Sequence, residues 1–561
     1  MSPIQSAFYL CRRPRLPRIS AKASCLFSLS HYKHVHTETI AGSRQAPESV
    51  TPNYDVLIAG AGPVGLLLAT ELKLQSPGAR VLVLERRASY DTAIKAGGIN
   101  TASLEMLERR GLLPAIKAVS TPFFSGAKKD MGGKKSAFAS SVGHFGGIPV
   151  PGAPVDKEDS LLRGRGLQGW YTMLPQIDLE KMLYQRAIEL GVCVWRGVGV
   201  SGFEVDVSGV TVEIDGEGEG GEGRDALRAS WLVGCDGGHS LVRRVAGFEF
   251  PGTDPKITGR AATVEMEGAE HLAEGWQYTP QGVYVCGPMP GRVRTVEFDG
   301  PPADKYAPVT AEEMQGSLRR VTGVESIRVS RATGGTRFTD NARQATKYRS
   351  GRVFLCGDAA HVHSPFSGQG LNLGLGDAAN LGWKLGAVVQ GRGAEYLLDT
   401  YSSERHPIGV RVLDWTRAQV AVMRGDPDAS ALRGVMIDFL GTKDGATHYV
   451  KQISGLWQQY NLGHTNHPLV GMTLPDIQFD DGTRLADHAH DGSFLLVDLT
   501  GSKDFATLAQ RYTGRLKLIR GKSKVDRVEQ LLVRPDGFVA WAATSGVDDI
   551  AGLEAALTQW L

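Results

Sequence analysis

Residues 54–72 read YDVLIAGAGPVGLLLATEL, and this stretch decides the fold. A short apolar run rich in strand formers leads into the glycine turn at 60–65, and an apolar helical pattern follows. The order predicts a strand, a G-x-G-x-x-G turn and a helix. The glycines permit the tight bend, the close approach of a pyrophosphate and the packing of helix on strand. A second predicted strand, 80–84, ends at Glu85, where a carboxylate can accept hydrogen bonds from a ribose diol. The stretch therefore predicts a dinucleotide-binding domain.

Two later blocks repeat the combination of strand, glycine and aspartate. Residues 232–240 read LVGCDGGHS, with Asp236 at the turn, and 241–244 predict a short helix. Residues 352–361 read RVFLCGDAAH, with Asp358 after the predicted strand, and GQGLNLG follows at 368–374. We predict a helix over about 377–389, opened by this glycine-rich loop. The N–H groups at such a helix start can face an electron-rich group, and the pyrimidine end of a flavin, anionic after reduction, is one.

Together the three blocks resemble those of the flavoprotein aromatic hydroxylases, the family of para-hydroxybenzoate hydroxylase and phenol hydroxylase. Members carry G-x-G-x-x-G, then D-G-x-x-S-x-x-R, then G-D-A-A-H…P…G-x-G-x-N, and all three occur here in that order. The resemblance covers about residues 54–412, including LPQ at 174–176 and LDTYSSERHP at 398–407. It implies an FAD-dependent monooxygenase that hydroxylates an aromatic, phenol-like or polycyclic substrate. The implied co-substrates are NADPH or NADH and dioxygen, and the implied oxygenating species is a flavin hydroperoxide.

The resemblance also implies which residues contact the cofactor. These are Gly60, Gly62, Pro63 and Gly65 at the pyrophosphate, Glu85 with Arg86 at the adenosine ribose, Lys95 near the phosphates, Gln176 at the ribityl chain, Asp236 beside the FAD and nicotinamide region, Asp358 at the ribityl or pyrophosphate segment, and Pro365, Gly368, Gly370, Leu371 and Asn372 along the isoalloxazine ring. Family members often have arginine at the position of Lys95, so this chain keeps the charge but loses the bidentate fork.

The predicted fold class is α/β. The resemblance implies a Rossmann-like FAD-binding domain over 52–465 that is interrupted by an antiparallel substrate sheet at about 245–345, where short apolar runs alternate. Within the FAD domain, 209–214 and 227–233 predict a hairpin joined by a Gly/Glu-rich loop. Residues 466–561 contain predicted strands and resemble the thioredoxin-like C-terminal domain of the phenol hydroxylase branch. This stretch has no cysteine and therefore no thiol redox role. A contribution to a homodimer is one role open to it.

Composition excludes several classes of function. The formal net charge of +2 indicates neither nucleic acid nor a lipid surface as partner. The six cysteines are scattered without a C-x-x-C pair, which argues against a disulfide framework and a zinc site and indicates a reducing intracellular compartment. No stretch predicts a membrane span. Residues 1–51 are basic and Ser-rich, which is typical of a transit peptide and equally of a disordered tail. A transit peptide predicts a mitochondrial location, and its absence a cytoplasmic one.

The catalytic residues stay open at this stage. A base near a substrate hydroxyl would help the reaction, but the sequence does not indicate which residue is that base. His361 and His363 are interpreted as packed within their loop, and Phe145, Trp170 and Tyr171 as core residues that could alternatively face the substrate. Two other functions remain possible, an FAD-linked reductase or dehydrogenase of the same fold and a non-catalytic flavin-binding scaffold.

Overall fold

The computed structural model describes residues 53–561 except 92, 94, 123–139, 167–168, 217–224, 271, 288, 464–466, 475, 523–528 and 544–548. The N-terminal extension, with its targeting hypothesis, and most of the Gly/Glu-rich loop therefore lie outside the described residues. Among the helices described, none combines the length and apolar character that a membrane crossing requires.

The described helices lie between Pro63 and Trp560. In chain order they are α1 (Pro63–Gln75), α2 (Thr101–Glu108), α3 (Leu113–Val119), α4 (Gln176–Glu189), α5 (Leu241–Val245), α6 (Ala311–Thr322), α7 (Gln369–Val389), α8 (Asp399–Met423), α9 (Pro427–Leu440), α10 (Lys443–Ser454), α11 (Lys503–Gln510) and α12 (Ile550–Trp560).

A central sheet with a parallel core carries the glycine turns. Its strands lie in the order Arg349–Ser350, Val353–Leu355, Asp225–Gly234, Tyr54–Ala59, Val81–Glu85 and Cys193–Arg196. The strands Val210–Gly216 and Val198–Val205 extend it as antiparallel neighbours, and the first of them forms the predicted hairpin with Asp225–Gly234. The predicted strands at 54–59, 80–85 and 352–356 are all present, within one or two residues. Their apolar side chains form a continuous core with α1 and α7.

A second, antiparallel sheet lies in the middle of the chain. Its order is Gly275–Thr279, Gly282–Cys286, Arg292–Glu297, Thr258–Glu267 and Arg328–Phe338. Helix α6 covers one face, where Ser317 Oγ donates to Glu297 at 2.6 Å. Three small sheets complete this part of the chain: Gly252–Thr253 with Ala342–Gln344 and His361–Val362, Gly98–Asn100 with Tyr171–Met173 and Thr121–Pro122, and Ser141–Phe145 with Ile148–Pro151.

The last part of the chain contains a four-stranded sheet. Its order is Leu516–Arg520, Phe494–Asp498, Gln530–Val533 and Val539–Ala543, with the first pair parallel and the others antiparallel. The predicted hairpin turns at Asp536 and Gly537, and Gly537 has φ +85°. The mixed α/β architecture confirms the predicted fold class.

The helix predicted to begin near 377 begins at Gln369 instead. Gly370, Leu371 and Asn372, expected in a loop, therefore form its first turn. Glycine weakens a helix by about 1 kcal/mol relative to alanine, so the segment carries little helical signal of its own. Packing against α1 compensates, because a Cβ on Gly382 would stand 2.4 Å from the Cβ of Glu71.

Buried charges join the C-terminal hairpin to α7 and α8. Arg534 donates to both oxygens of Glu404, at 2.9 and 2.7 Å, and is itself fully buried. Lys384 of α7 lies 2.9 Å from Glu404 Oε2, and Trp383 Nε1 donates to Asp536 at 3.2 Å. Burial alone would raise the pKa of Glu404, but the charges of Arg534 and Lys384 outweigh it and lower the pKa to about 2. The hairpin therefore completes the core of the preceding domain.

Replacement of Arg534 tests this interface. Arg534→Met should lower the free energy of unfolding by about 3–5 kcal/mol, because it leaves Glu404 and Asp536 buried without their main partner. Arg511→Met removes an equally short but exposed pair with Glu554 and should change it by less than about 1 kcal/mol. Urea denaturation of both variants measures the difference. Equal effects would contradict a structural role for the buried network.

Candidate functional site

The three sequence blocks meet at one edge of the central sheet. Cys235 N donates to Ala59 O at 2.8 Å, and Cys356 N donates to Gly234 O at 2.9 Å. Because the strands before the three turns are parallel, their carboxyl ends share this edge. This is the place where open α/β sheets bind their ligands.

Each glycine of the first turn has a different geometric role. Gly60 has φ +107°, and a Cβ there would stand 2.4 Å from Cys235 O. A Cβ on Gly65 would stand 2.1 Å from Gly60 O, so only glycine lets the helix pack here. A Cβ on Gly62 would meet no protein atom within 4 Å, so Gly62 faces open space at the start of α1. Helix N-termini attract negative charge, and this space suits a phosphate.

The predicted acidic residues surround this turn. Glu85 is half-buried, and its oxygens accept from the N–H groups of Ala61 and Arg87, both at 3.0 Å. Asp236 Oδ2 accepts from Leu241 N and Val242 N, at 2.7 and 3.1 Å, and so caps α5. Its other oxygen is buried without a hydrogen-bond partner in the described chain. Asp358 is exposed at the end of its strand.

The other residues predicted to contact the cofactor lie in different surroundings. Gln176 is the first residue of α4, and its N–H donates to Ala96 O at 3.1 Å. Arg86 is exposed beside Glu85. Lys95 forms an ion pair with Asp91 at 2.7 Å, so its ammonium group is engaged within its own segment. A phosphate contact by Lys95 would require exchange of that partner.

A strained turn precedes α7. Ser367 has φ +61°, the only positive value of a described non-glycine residue, and Gly368 follows with φ +59°. Such strain costs about 1–3 kcal/mol and marks functional sites. Pro365 is exposed at the start of this turn. Ser367 Oγ donates to Gln419 Oε1 at 2.6 Å, and Tyr171 OH donates to Gly368 O at 3.3 Å. Both contacts hold the turn in this conformation.

The side chain of Asn372 is used internally. Its Oδ1 accepts from Asn100 N at 3.0 Å, and its Nδ2 donates to Gly368 O at 2.9 Å. The residue is buried. The side chain therefore fixes the strained turn. A ligand at the first turn of α7 would contact the backbone there, together with Gly370 and Leu371.

Asp377 holds the third block together, and sequence reasoning missed it. Its carboxylate accepts from Gly357 N at 3.2 Å, lies 2.6 Å from His361 Nε2 and accepts from Arg405 Nε at 2.8 Å. Burial alone would raise its pKa, but the charges of His361 and Arg405 outweigh it and lower the pKa. The sequence holds two hints of this contact, an aspartate, Asp377, in an otherwise apolar helix and Arg405 in the segment 398–407. Neither hint identifies the other residue as its partner.

Arg243 links the second block to the third. Its guanidinium donates to Ala359 O and to Gly238 O, both at 2.8 Å. Ser240 Oγ accepts from Arg243 N at 2.9 Å and caps α5. These residues are the S-x-x-R of the second block, so that pattern serves to join two turns.

An aromatic wall faces the strained turn from the antiparallel sheet. The ring of Phe366 lies 6.0 Å from that of Trp276 and 5.8 Å from that of Phe338. His144 lies 4.5 Å from Trp276, and its Nδ1 accepts from Gly147 N at 3.2 Å. Burial, with a smaller effect of the Arg294 charge, lowers the pKa of His144 to about 3. The imidazole is therefore neutral at physiological pH.

The three aromatic residues that the sequence left open, Phe145, Trp170 and Tyr171, lie in different surroundings. Phe145 is buried against Trp415, and Trp170 packs against the same cluster. Tyr171 stands over Gly98, where a Cβ would be 1.7 Å from its ring. Of the three, Tyr171 donates a hydrogen bond to the strained turn.

Two family models match the chain. Residues 53–416 match the FAD binding domain, and residues 467–561 match the C-terminal domain of aromatic-ring hydroxylases. A Claviceps purpurea protein described as a monooxygenase is 38% identical over 522 residues, or 90% of this chain and 97% of that one. The 12-dehydrotetracycline 5-monooxygenase/anhydrotetracycline 6-monooxygenase of Streptomyces rimosus is 38% identical over 530 residues, covering 90% of this chain and 98% of that one. The solved anhydrotetracycline hydroxylase of Streptomyces rimosus has a TM-score of 0.78 and 35% identity, covering 90% of this chain and 99% of that one.

The low pKa of His144 predicts a measurable dependence of stability on pH. Between pH 6.5 and about 3 the unfolded chain binds a proton on this residue and the folded chain does not, so stability falls as the pH is lowered. Its contribution is at most about 1.4 kcal/mol per pH unit. His144→Asn keeps an acceptor for Gly147 N and should remove that contribution from the slope between pH 6.5 and 5. The exposed His490→Asn is the control, and an unchanged slope in His144→Asn would contradict the burial.

Proposed function

The chain belongs to the FAD-dependent aromatic-ring hydroxylases, and on this premise we propose that it is a monooxygenase acting on a polycyclic aromatic substrate. The supporting observation is the meeting of the strained turn before α7 with the aromatic face of the antiparallel sheet, where Phe366 lies between Trp276 and Phe338. A flat, electron-rich substrate can pack against the partly exposed rings of Trp276 and Phe338. The substrate named for the Streptomyces relative, anhydrotetracycline, is polycyclic, which supports the same class here.

The residues at the sheet edge fit FAD. Gly62 leaves open space for a phosphate, and Asp236 keeps a buried oxygen without a partner in the described chain. Ser364 Oγ and His363 Nε2 are likewise buried without a hydrogen-bond partner there, next to the strained turn. Orphaned polar atoms are rare in native proteins and indicate a ligand or water at the site.

We assign the cofactor contacts along this edge. The turn at 60–65 would hold the pyrophosphate, Glu85 and Arg86 the adenosine ribose, Gln176 and Asp358 the ribityl region, and the backbone at 365–372 the isoalloxazine ring. We place the FAD-binding domain at 52–465 and the C-terminal domain at 466–561.

FAD supplies the redox chemistry by which electrons from NAD(P)H activate dioxygen. The protein's own part is to position and to exclude water. Tyr171 and Ser367 fix the turn that would face the flavin ring, and the neutral imidazole of His144 adds no charge to the aromatic wall. Such chemistry needs few protein acids or bases, which agrees with a wall of aromatic side chains.

The first test concerns the phosphate space at Gly62. The backbone there, with φ −71° and ψ 177°, accepts any residue. Gly62→Ala should therefore fold with an unchanged thermal midpoint and bind FAD about tenfold more weakly or worse, because the methyl group fills the phosphate space. Gly434→Ala, whose Cβ also meets no atom within 4 Å, is the control. FAD affinity is measured by fluorescence titration of the apoprotein. Unchanged affinity in Gly62→Ala would place the phosphates elsewhere.

The second test concerns the reaction. With FAD bound, oxygen uptake driven by NAD(P)H should rise when 1,8-dihydroxyanthraquinone or a related polycyclic phenol is added. Mass spectrometry should then find one labelled oxygen atom from isotopic dioxygen in the product. Reduction of the flavin with peroxide as the only oxygen product would favour the reductase alternative. A chain that binds no FAD would favour the scaffold.

The proposal includes dioxygen as co-substrate and a homodimer as the assembly. Light scattering of the purified protein measures its molar mass in solution. A mass of about 120 kDa, twice that of the 60.3 kDa chain, is expected, and a monomer would contradict the second part.

A further inference from the structure

The antiparallel sheet carries arginines on both of its faces. On the face covered by α6, Arg260 pairs with Glu297 and Glu313, at 2.7 and 2.8 Å, and Arg337 also pairs with Glu313. Arg320 of α6 joins Glu297 at 2.7 Å. Each of these cations has a carboxylate, as expected for charges that are partly removed from water.

Strand register places Arg294 on the opposite face. Arg294 pairs with Val285, and Val285 pairs with Trp276 on the next strand. Directly paired residues of antiparallel strands point to the same face, so Arg294 shares the face of Trp276, which meets Phe366 and His144. Arg292 lies two residues earlier in the same strand and therefore on the same face.

Neither of these arginines has a partner in the described part of the chain. No side-chain hydrogen bond or ion pair of Arg292 or Arg294 occurs there, and Arg292 Nε is buried without an acceptor. Burial lowers the pKa of Arg292 to about 10, with a further lowering by the Arg294 charge. Guanidinium groups stay protonated at neutral pH. Two like charges thus stand on one face of the same strand, and no carboxylate of the described residues is paired with either.

Strand register also places Glu265 on this face, and its carboxylate pairs with Arg331 and with neither of the two arginines. His144 lies against Trp276 on the same face, and the charge of Arg294 contributes to the low pKa of His144. His144 is neutral, and burial raises the pKa of the Tyr171 hydroxyl. Arg294 is exposed and Arg292 is half-buried, so both side chains can be reached from outside. A negatively charged oxygen entering from outside would satisfy both guanidinium groups.

We propose that Arg292 and Arg294 form an anion subsite that selects polycyclic aromatic substrates carrying an ionised oxygen group, either a carboxylate or an ionised ring hydroxyl. The inference rests on the proposed function, since it names the substrate class of the same site. The cations bind the charged group and so orient the ring system against the strained turn before α7. Charge-assisted hydrogen bonds to a guanidinium are among the stronger polar contacts, and they also fix direction.

The experiment compares two ligands of nearly the same shape. Oxidised enzyme with FAD bound and without nicotinamide is titrated with 3-hydroxy-2-naphthoate and with its neutral amide, and the change in flavin absorption gives each Kd. The wild type should bind the carboxylate at least about tenfold more tightly than the amide. Arg294→Gln and Arg292→Gln should abolish this preference with less than about threefold change for the amide. A second pair, 2-hydroxy-1,4-naphthoquinone and its neutral methyl ether, asks whether an ionised ring hydroxyl is recognised in the same way.

Arg331→Gln is the matched control. Arg331 belongs to the same sheet, is exposed and pairs weakly with Glu265 at 3.4 Å, so its loss should leave every Kd unchanged. The flavin spectrum and thermal midpoint of all variants show whether they fold and hold FAD.

Equal or absent binding of the charged and neutral probes by the wild type overturns the inference, as does a preference that survives in both variants. If the variants bind NADPH more weakly but keep the preference for the charged probe, the arginines bind the phosphate groups of NADPH instead. Oxygen uptake separates this result from the proposed function. If charged and neutral ligands stimulate oxygen uptake equally, the result supports the proposed function and contradicts the anion subsite. Arginine-dependent binding of the naphthoate, with no hydroxylation of any ligand, supports the subsite and contradicts the function.

Discussion

The fully buried carboxylate of Asp377 is the constraint on which the site depends. A buried charge is tolerated only when its oxygens are satisfied, and here one oxygen takes Gly357 N and His361 while the other takes Arg405. The turn that bears Asp358 and helix α7 are thereby locked to each other. Arg405 also donates to Leu373 O, at 2.9 Å, within the same helix. The third block is thus held from inside the protein, which leaves its outer surface free for a ligand.

Features that depend on neighbouring residues could be predicted from the sequence. The strand, turn and helix around Gly60 follow from local glycine chemistry, and the adjacency of the three turns follows from parallel pairing. The start of α7 could not be predicted, because its glycines disfavour a helix and only packing against α1 supports one. The role of Asp377 depends on Arg405, 28 residues later, and no local pattern announces such a contact.

The placement of individual site residues was predictable to different degrees. Glu85 and Asp236 stand at the turns where the motif places them. Lys95 has a partner, Asp91, that motif matching does not consider. Arg294 was invisible in the sequence because alternating Arg-Val-Arg reads as an ordinary exposed strand. Only the register of three strands shows that it shares a face with Trp276.

The buried ion network of the C-terminal hairpin has a consequence for how the protein is made. Glu404 precedes Arg534 by 130 residues, so the ribosome delivers the carboxylate long before the cation that neutralises it. Larger proteins fold domain by domain during synthesis, but here the first domain contains a charge that its own chain compensates only in part, through Lys384. The cofactor-binding domain therefore acquires the full set of partners for Glu404 only when Arg534 is present, and truncation before Arg534 would leave a buried carboxylate of that domain short of its main cation.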